Sequence, residues 1–112
     1  MEERISRKPV ETSNEFKVSR TRIYNYTLDT FGYFQAEHYL GKIKKSLATL
    51  YDFYGAYPEC RHLRTKSRMY RNIVLDAHLI IYRITSERIE VLDIVHSASG
   101  CRKIRATRSI RV

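Results

Sequence analysis

The chain has 112 residues, 43% of them hydrophobic, and nine Tyr and four Phe supply large apolar bodies. This length predicts one domain over residues 1–112 with a single core, and the aromatic content argues against disorder. No apolar run reaches membrane-spanning length, and the opening MEERISRKPV lacks a signal-peptide core. A soluble, unexported cytoplasmic protein with no membrane contact is therefore expected.

The net charge of +9 is unevenly placed. Residues 1–60 hold 9 Lys/Arg against 8 Asp/Glu, a balance of +1, while residues 61–112 hold 12 against 4, a balance of +8. A field concentrated in one half suggests an anionic partner: nucleic acid, a nucleic-acid enzyme or an acidic peptide. Cys60 and Cys101 form no CxxC pair, and His62 beside Cys60 is too little for zinc. Two unpaired thiols, no metal and no cofactor are expected.

In chain order, Ile5–Val10 reads as a weak strand that Pro9 confines to a sheet edge. Thr12 and Glu15 have capping-box spacing ahead of an apolar stripe of Phe16, Arg20, Ile23 and Thr27. This predicts a helix over 13–31, ended by Gly32, where glycine tolerates left-handed backbone. A second helix is predicted over 33–53, with Ala36, Tyr39, Leu40, Ile43, Leu47 and Leu50 on one face. One glycine between two amphipathic helices makes an antiparallel αα-hairpin.

After Gly55 and Pro58 the period changes from helical to alternating. Three β-branched, aromatic-rich runs follow at about 69–75, 78–85 and 88–96, joined by the tight connections Asp76-Ala77 and Ser86-Glu87. They predict an antiparallel meander in which Ile80, Tyr82 and Ile84 share one face of the middle strand and Leu79, Ile81 and Arg83 the other. Leu47, Ile80 and Leu92 are expected in the core. Residues 97–112 read as a basic C-terminal tail carrying Arg102, Lys103, Arg105, Arg108 and Arg111 and no acid. The fold class is α+β, with an N-terminal αα-hairpin on an antiparallel sheet.

Specific residues carry a family resemblance across about residues 13–96. The run Ile23-Tyr-Asn-Tyr-Thr27, Phe31-Gly32, Gln35-Ala36-Glu37 and Tyr39-Leu40 resembles the helical hairpin of ParE-type toxins. His78-Leu-Ile-Ile-Tyr-Arg83, Arg88-Ile-Glu-Val91 and Ile94-Val-His96 are similar to that family's strands. The resemblance is to the ParE/RelE superfamily of type II toxin–antitoxin toxins, which includes plasmid stabilisation toxins, and to its ParE-like branch. One departure is that Ser97-Ala98-Ser99 follows His96, where many ParE proteins carry Met-Asp.

The resemblance implies one of two activities. ParE-type toxins inhibit growth by poisoning DNA gyrase, whereas RelE-type toxins are ribosome-dependent mRNA endonucleases. Read against the RelE pattern, a strand lysine falls at Ile73 and a strand arginine near Leu79, and neither side chain binds phosphate or moves a proton. Arg71, His78, Tyr82, Arg83 and His96 form an alternative set with suitable chemistry, since histidine titrates near neutrality. Each also has a structural role available: cross-strand pairing of Arg71 or Arg83 with Asp76, Glu90 or Asp93, or an end-cap at His96. The favoured expectation is a gyrase-binding inhibitor without turnover.

A plain nucleic-acid-binding module is a further alternative, although no helix-turn-helix, zinc-finger or RNP-like pattern supports it. A decayed, non-toxic family member is another. The resemblance also implies a cognate antitoxin whose acidic, helix-forming tail orders on binding. Tyr24, Phe31, Tyr39 and Tyr51 are the expected apolar contacts for antitoxin or target. Arg71, Arg83, Arg102, Arg105 and Arg108 are the expected basic contacts.

Overall fold

A computed structural model describes residues 7–112. The expected strand at Ile5–Val10 lies partly outside the described residues; the strand that forms is β1, Val10–Thr12. Because Thr12 still pairs with Val91 of the sheet, it does not cap the first helix as the Thr12–Glu15 spacing predicts. Ser13 caps it instead. Its buried hydroxyl accepts a hydrogen bond from Phe16 N at 2.8 Å and donates to Leu92 O at 2.6 Å, so one side chain starts the helix and fastens it to the sheet.

Helix α1 runs Asn14–Phe31 and α2 Tyr33–Ala48. Between them Gly32 has φ +94°, a conformation that a side chain would resist, and this single residue reverses the chain. The predicted helix over 33–53 breaks at Thr49. The Thr49 hydroxyl donates to Ser46 O at 2.7 Å and competes with the helical backbone pattern. A short helix α3, Leu50–Phe53, and a 3-10 turn at Tyr54–Ala56 follow.

Strands β2 (Tyr70–Leu75), β3 (His78–Ile84) and β4 (Ile89–His96) form the expected antiparallel meander. The complete sheet is mixed: its order is β1-β4-β3-β2, and β1 pairs with β4 in parallel. The hairpin between β1 and the meander supplies the crossover that a parallel pair requires. A register shift between Ile81 and Tyr82 marks a bulge in β4, where Leu92 is the residue passed over.

Alternation along β3 divides the interior in two. Ile80 and Tyr82 face the hairpin with Phe16, Ile43 and Leu50, and Ile84 packs at the margin. Ile81 faces the other way, into a second core of Cys60, Leu63, Tyr70, Leu92, Val95 and Ile104, with Leu79 at its edge. The reading of residues 97–112 as a tail needs correction, because most of the segment is folded. Helix α4, Cys101–Ala106, and a 3-10 turn at Thr107–Ser109 bury Ile104 and Thr107 against the sheet. The sheet is thus covered on both faces, and this explains why both faces of β3 are apolar. Ile80 and Leu92 are fully buried as expected, whereas Leu47 is only partly buried at the core margin.

Candidate functional site

Where the hairpin turn overhangs the β2–β3 turn, the two leave a groove of about 900 Å³. Helix α1 contributes Arg22, Tyr26 and Phe31; α2 contributes Gln35, His38, Tyr39 and Lys42; the sheet contributes Asp76, His78 and His96. Asp76 takes the positive φ of the β-turn, a conformation Asp tolerates better than most residues, and its carboxylate pairs with Lys42 at 2.9 Å. The rim is apolar and open: Tyr26 and Phe31 are each 64% exposed, and Phe34 beyond them 85%.

The floor is a cross-strand histidine pair, with ring centroids of His78 and His96 5.6 Å apart. The Tyr39 hydroxyl donates to Leu75 O at 2.9 Å and lies 2.7 Å from His78 Nδ1. A phenol has one proton. With that proton on Leu75, His78 Nδ1–H must be the donor to Tyr39, which leaves Nε2 as an acceptor. Burial pushes the Tyr39 phenol up to about 12, so it keeps that proton. Burial first, and then the neighbouring His96, hold His78 below the ordinary histidine value and keep it neutral. His96 Nδ1 instead accepts from Ala98 N at 3.0 Å, so in neutral His96 the proton sits on Nε2. One acceptor and one donor therefore lie side by side, suited to gripping a peptide or carboxamide group. Among the described residues no cluster of His, Cys, Asp and Glu could hold a metal ion.

A family model for the ParE toxin of type II toxin–antitoxin systems, parDE, matches residues 10–99. The chain belongs to the ParE toxin family. It is a toxin of a type II toxin–antitoxin system, and a cognate antitoxin is its implied partner. No curated protein matches the sequence. Among solved structures, a chain described as "Chromosomal ParDE TA system from P. aeruginosa" is similar, with a TM-score of 0.68 at 14% identity. The match covers 81% of this chain and 97% of that one, and at such identity it shows the shared fold.

Within this ParE fold, the sequence-predicted site residues separate into three places. His78, His96, Tyr39 and Phe31 come together in the groove. Tyr24 lies half-buried beside it and donates its hydroxyl to Glu37 across the hairpin. Tyr51, 47% exposed, sits at the start of the α3 turn with the Arg7 guanidinium 5.8 Å from its ring centre.

Arg71, Tyr82 and Arg83 are built into the scaffold. Arg71 donates to the carbonyls of Arg68, Gly55 and Tyr57 at 2.8–3.1 Å. Tyr82 is fully buried, with its hydroxyl on Tyr54 O. Arg83 lies 2.6 Å from Glu90 and donates to the carbonyls of Arg108 and Ile110, fastening the C-terminal segment. Arg102, Arg105 and Arg108 are exposed on the layer behind the sheet.

The groove residues missed from sequence are Arg22, Tyr26, Gln35, His38 and Lys42. Gln35, His38, Tyr39 and Lys42 fall at i, i+3, i+4 and i+7, a second helical stripe on α2. Its mixed polarity hid it from a search for apolar periodicity. Among the described residues no helix is long and apolar enough to cross a membrane.

Proposed function

We propose that the chain arrests growth by binding DNA gyrase and stabilising its DNA-cleaved state, without turnover, and that it does so in the cytoplasm. The observation that carries this reading is the engagement of the alternative ribonuclease set. Arg71 and Arg83 have their guanidinium groups on backbone carbonyls and on Glu90, and Tyr82 is sealed in the core. A phosphodiesterase needs free cations and a proton-transfer group converging on one phosphate. Ile73, where the RelE lysine would fall, is itself 5% exposed. Membership of the ParE family supports the same reading.

Neutralisation follows from the groove. An antitoxin helix laid along the hairpin would cover Phe31 and Tyr26 and reach the histidine floor with a main-chain or carboxamide group. Purified protein is expected to inhibit gyrase supercoiling or to trap cleaved DNA, and to leave ribosome-bound mRNA intact. Ribosomal mRNA cleavage with gyrase unaffected, lost on His96→Ala, would overturn the reading in favour of the RelE mechanism.

A further inference from the structure

The layer behind the sheet, residues 58–69 and 97–112, is the most one-sided surface of the molecule. Its loop presents Arg61, Arg64, Lys66 and Arg68, all exposed. Its C-terminal segment presents Arg102, Lys103, Arg105, Arg108 and Arg111, also all exposed. Glu59 is the single acid of these segments, and it is occupied by Arg68 at 3.6 Å and Thr65 N at 3.0 Å. Nine cations against one acid place +8 of the chain's +9 here, while the remainder holds twelve against eleven.

The two segments make one surface because one core lies under both: Cys60 and Leu63 from the loop pack with Ile104 on Ile81, Leu92 and Val95. Arg83 and Arg88 fix the far end through the oxygens of Arg108, Ile110 and Val112. Seven of the nine cations are arginine, whose planar fork matches phosphate bidentately. Neither segment contains a Tyr or Phe, although the chain has nine and four. Single-strand sites stack bases on aromatic rings, and these two segments supply only the part-buried imidazole of His62. The surface is suited to a regular array of backbone phosphates.

We propose that this layer binds the phosphate backbone of duplex DNA without reading sequence. The choice of DNA over RNA rests on the gyrase reading above, since a toxin that holds cleaved gyrase meets duplex DNA there. On the enzyme, the layer would add a DNA contact to the protein contact and so prolong the trapped state.

The test is fluorescence anisotropy with a labelled mixed-sequence DNA duplex, in a salt series between about 50 and 200 mM. Wild type should bind with log affinity falling linearly in log salt. The triple variant Arg64→Gln, Arg102→Gln, Arg105→Gln should lose at least about tenfold at the lowest salt and flatten the slope by about 2–3. The triple Lys17→Gln, Lys44→Gln, Lys45→Gln removes the same charge from the hairpin and should stay within about twofold of wild type. A third triple, Arg64→Lys, Arg102→Lys, Arg105→Lys, keeps the charge and should restore binding, separating charge from folding.

Absence of binding, equal loss in the two glutamine triples, or tighter binding of duplex or single-stranded RNA would each overturn the proposal. The assay contains no gyrase, so the two readings fail separately. DNA binding without gyrase poisoning upholds the layer and sinks the target; poisoning without DNA binding does the reverse.

Discussion

The two faces of β3 support surfaces of opposite character. On the hairpin side, where Ile80 and Tyr82 pack into the core, His78 and His96 floor a groove whose rim is aromatic. Of its cations Arg22 and Lys42, the second is already matched by Asp76. On the other side, Ile81 and Leu92 underlie a layer with nine cations, one acid and no Tyr or Phe. A partner on the first surface gains by burying rings, a short-range term nearly indifferent to salt. On the second it gains by releasing counterions, a term that collapses as salt rises. One strand alternation thus separates a surface fit for a specific protein from one fit for a polyanion.

The largest expected effects test whether the back layer is as integral as the front. Phe16→Ala on the hairpin side should cost about 3–5 kcal/mol, and Ile104→Ala on the back about 2–5 kcal/mol, in chemical denaturation. A negligible cost for Ile104→Ala would demote the layer to an appendage and weaken its role as a rigid charged surface.

Next is the clamp that holds that layer. Glu90 is 8% exposed and receives Arg83 at 2.6 Å and Arg88 at 2.8 Å. Burial alone would raise its carboxyl, but hydrogen bonds from the two arginines outweigh burial and hold it below the ordinary glutamate value. A folded value below the unfolded one means that the stabilisation is fully present above about pH 4.3 and is lost as pH falls through the folded value. Glu90→Gln should therefore cost about 1–3 kcal/mol near neutrality. The difference from wild type should close in acid. A gap that persists at low pH would show that charge is not what Glu90 contributes.

The hairpin and meander were legible because their periods are regular: one glycine between two helical stripes, then alternating β-branched runs. The apolar character of both faces of β3 was also legible, but its cause was not. Residues 97–112 look like a solvated tail because their large apolar residues, Ile104, Ile110 and Val112, fall among the arginines at intervals too sparse for a helical stripe. These residues pack on the second core, and Arg83 and Arg88 reach in from the sheet to hold the segment. Parallel pairing of β1 was illegible because three residues carry no direction. The groove was half legible. His78, His96, Tyr39 and Phe31 stood out by chemistry or resemblance, while Arg22, His38 and Lys42 belong to it only through the angle of the hairpin over the sheet.

A smaller effect separates the two surfaces in binding. Phe31 is 64% exposed at the groove rim, and Phe31→Ala should weaken association with the cognate antitoxin by about tenfold or more, mainly through faster dissociation. The change should be about the same at low and high salt. Changing Arg102, Arg105 and Arg108 to Glu should act chiefly on the association rate, and only at low salt. If Phe31→Ala leaves dissociation untouched, the groove is not where the antitoxin is held.

The smallest effect concerns the groove floor itself. His78 is faced by Tyr39 and Lys42 of α2, by Asp76 at the turn and by His96 of β4, with Arg22 and His38 lining the same space. Burial lowers its titration most, the His96 imidazole lowers it further, and the Asp76 carboxylate pulls the other way. Each cause has its own sign, so two substitutions should move the midpoint in opposite directions in a proton NMR titration. His96→Ala should raise it, because a neighbouring charge that opposes protonation is gone. Asp76→Asn should lower it, because the one favourable charge is gone. Since the folded value lies below the unfolded one, neutral His78 stabilises the fold above about pH 6.5, and that contribution is lost as pH falls through the folded midpoint. Protonation at Nε2 would also turn the acceptor on the floor into a second donor. If His96→Ala lowers the midpoint or leaves it unmoved, the two imidazoles are not in electrostatic contact on the groove floor.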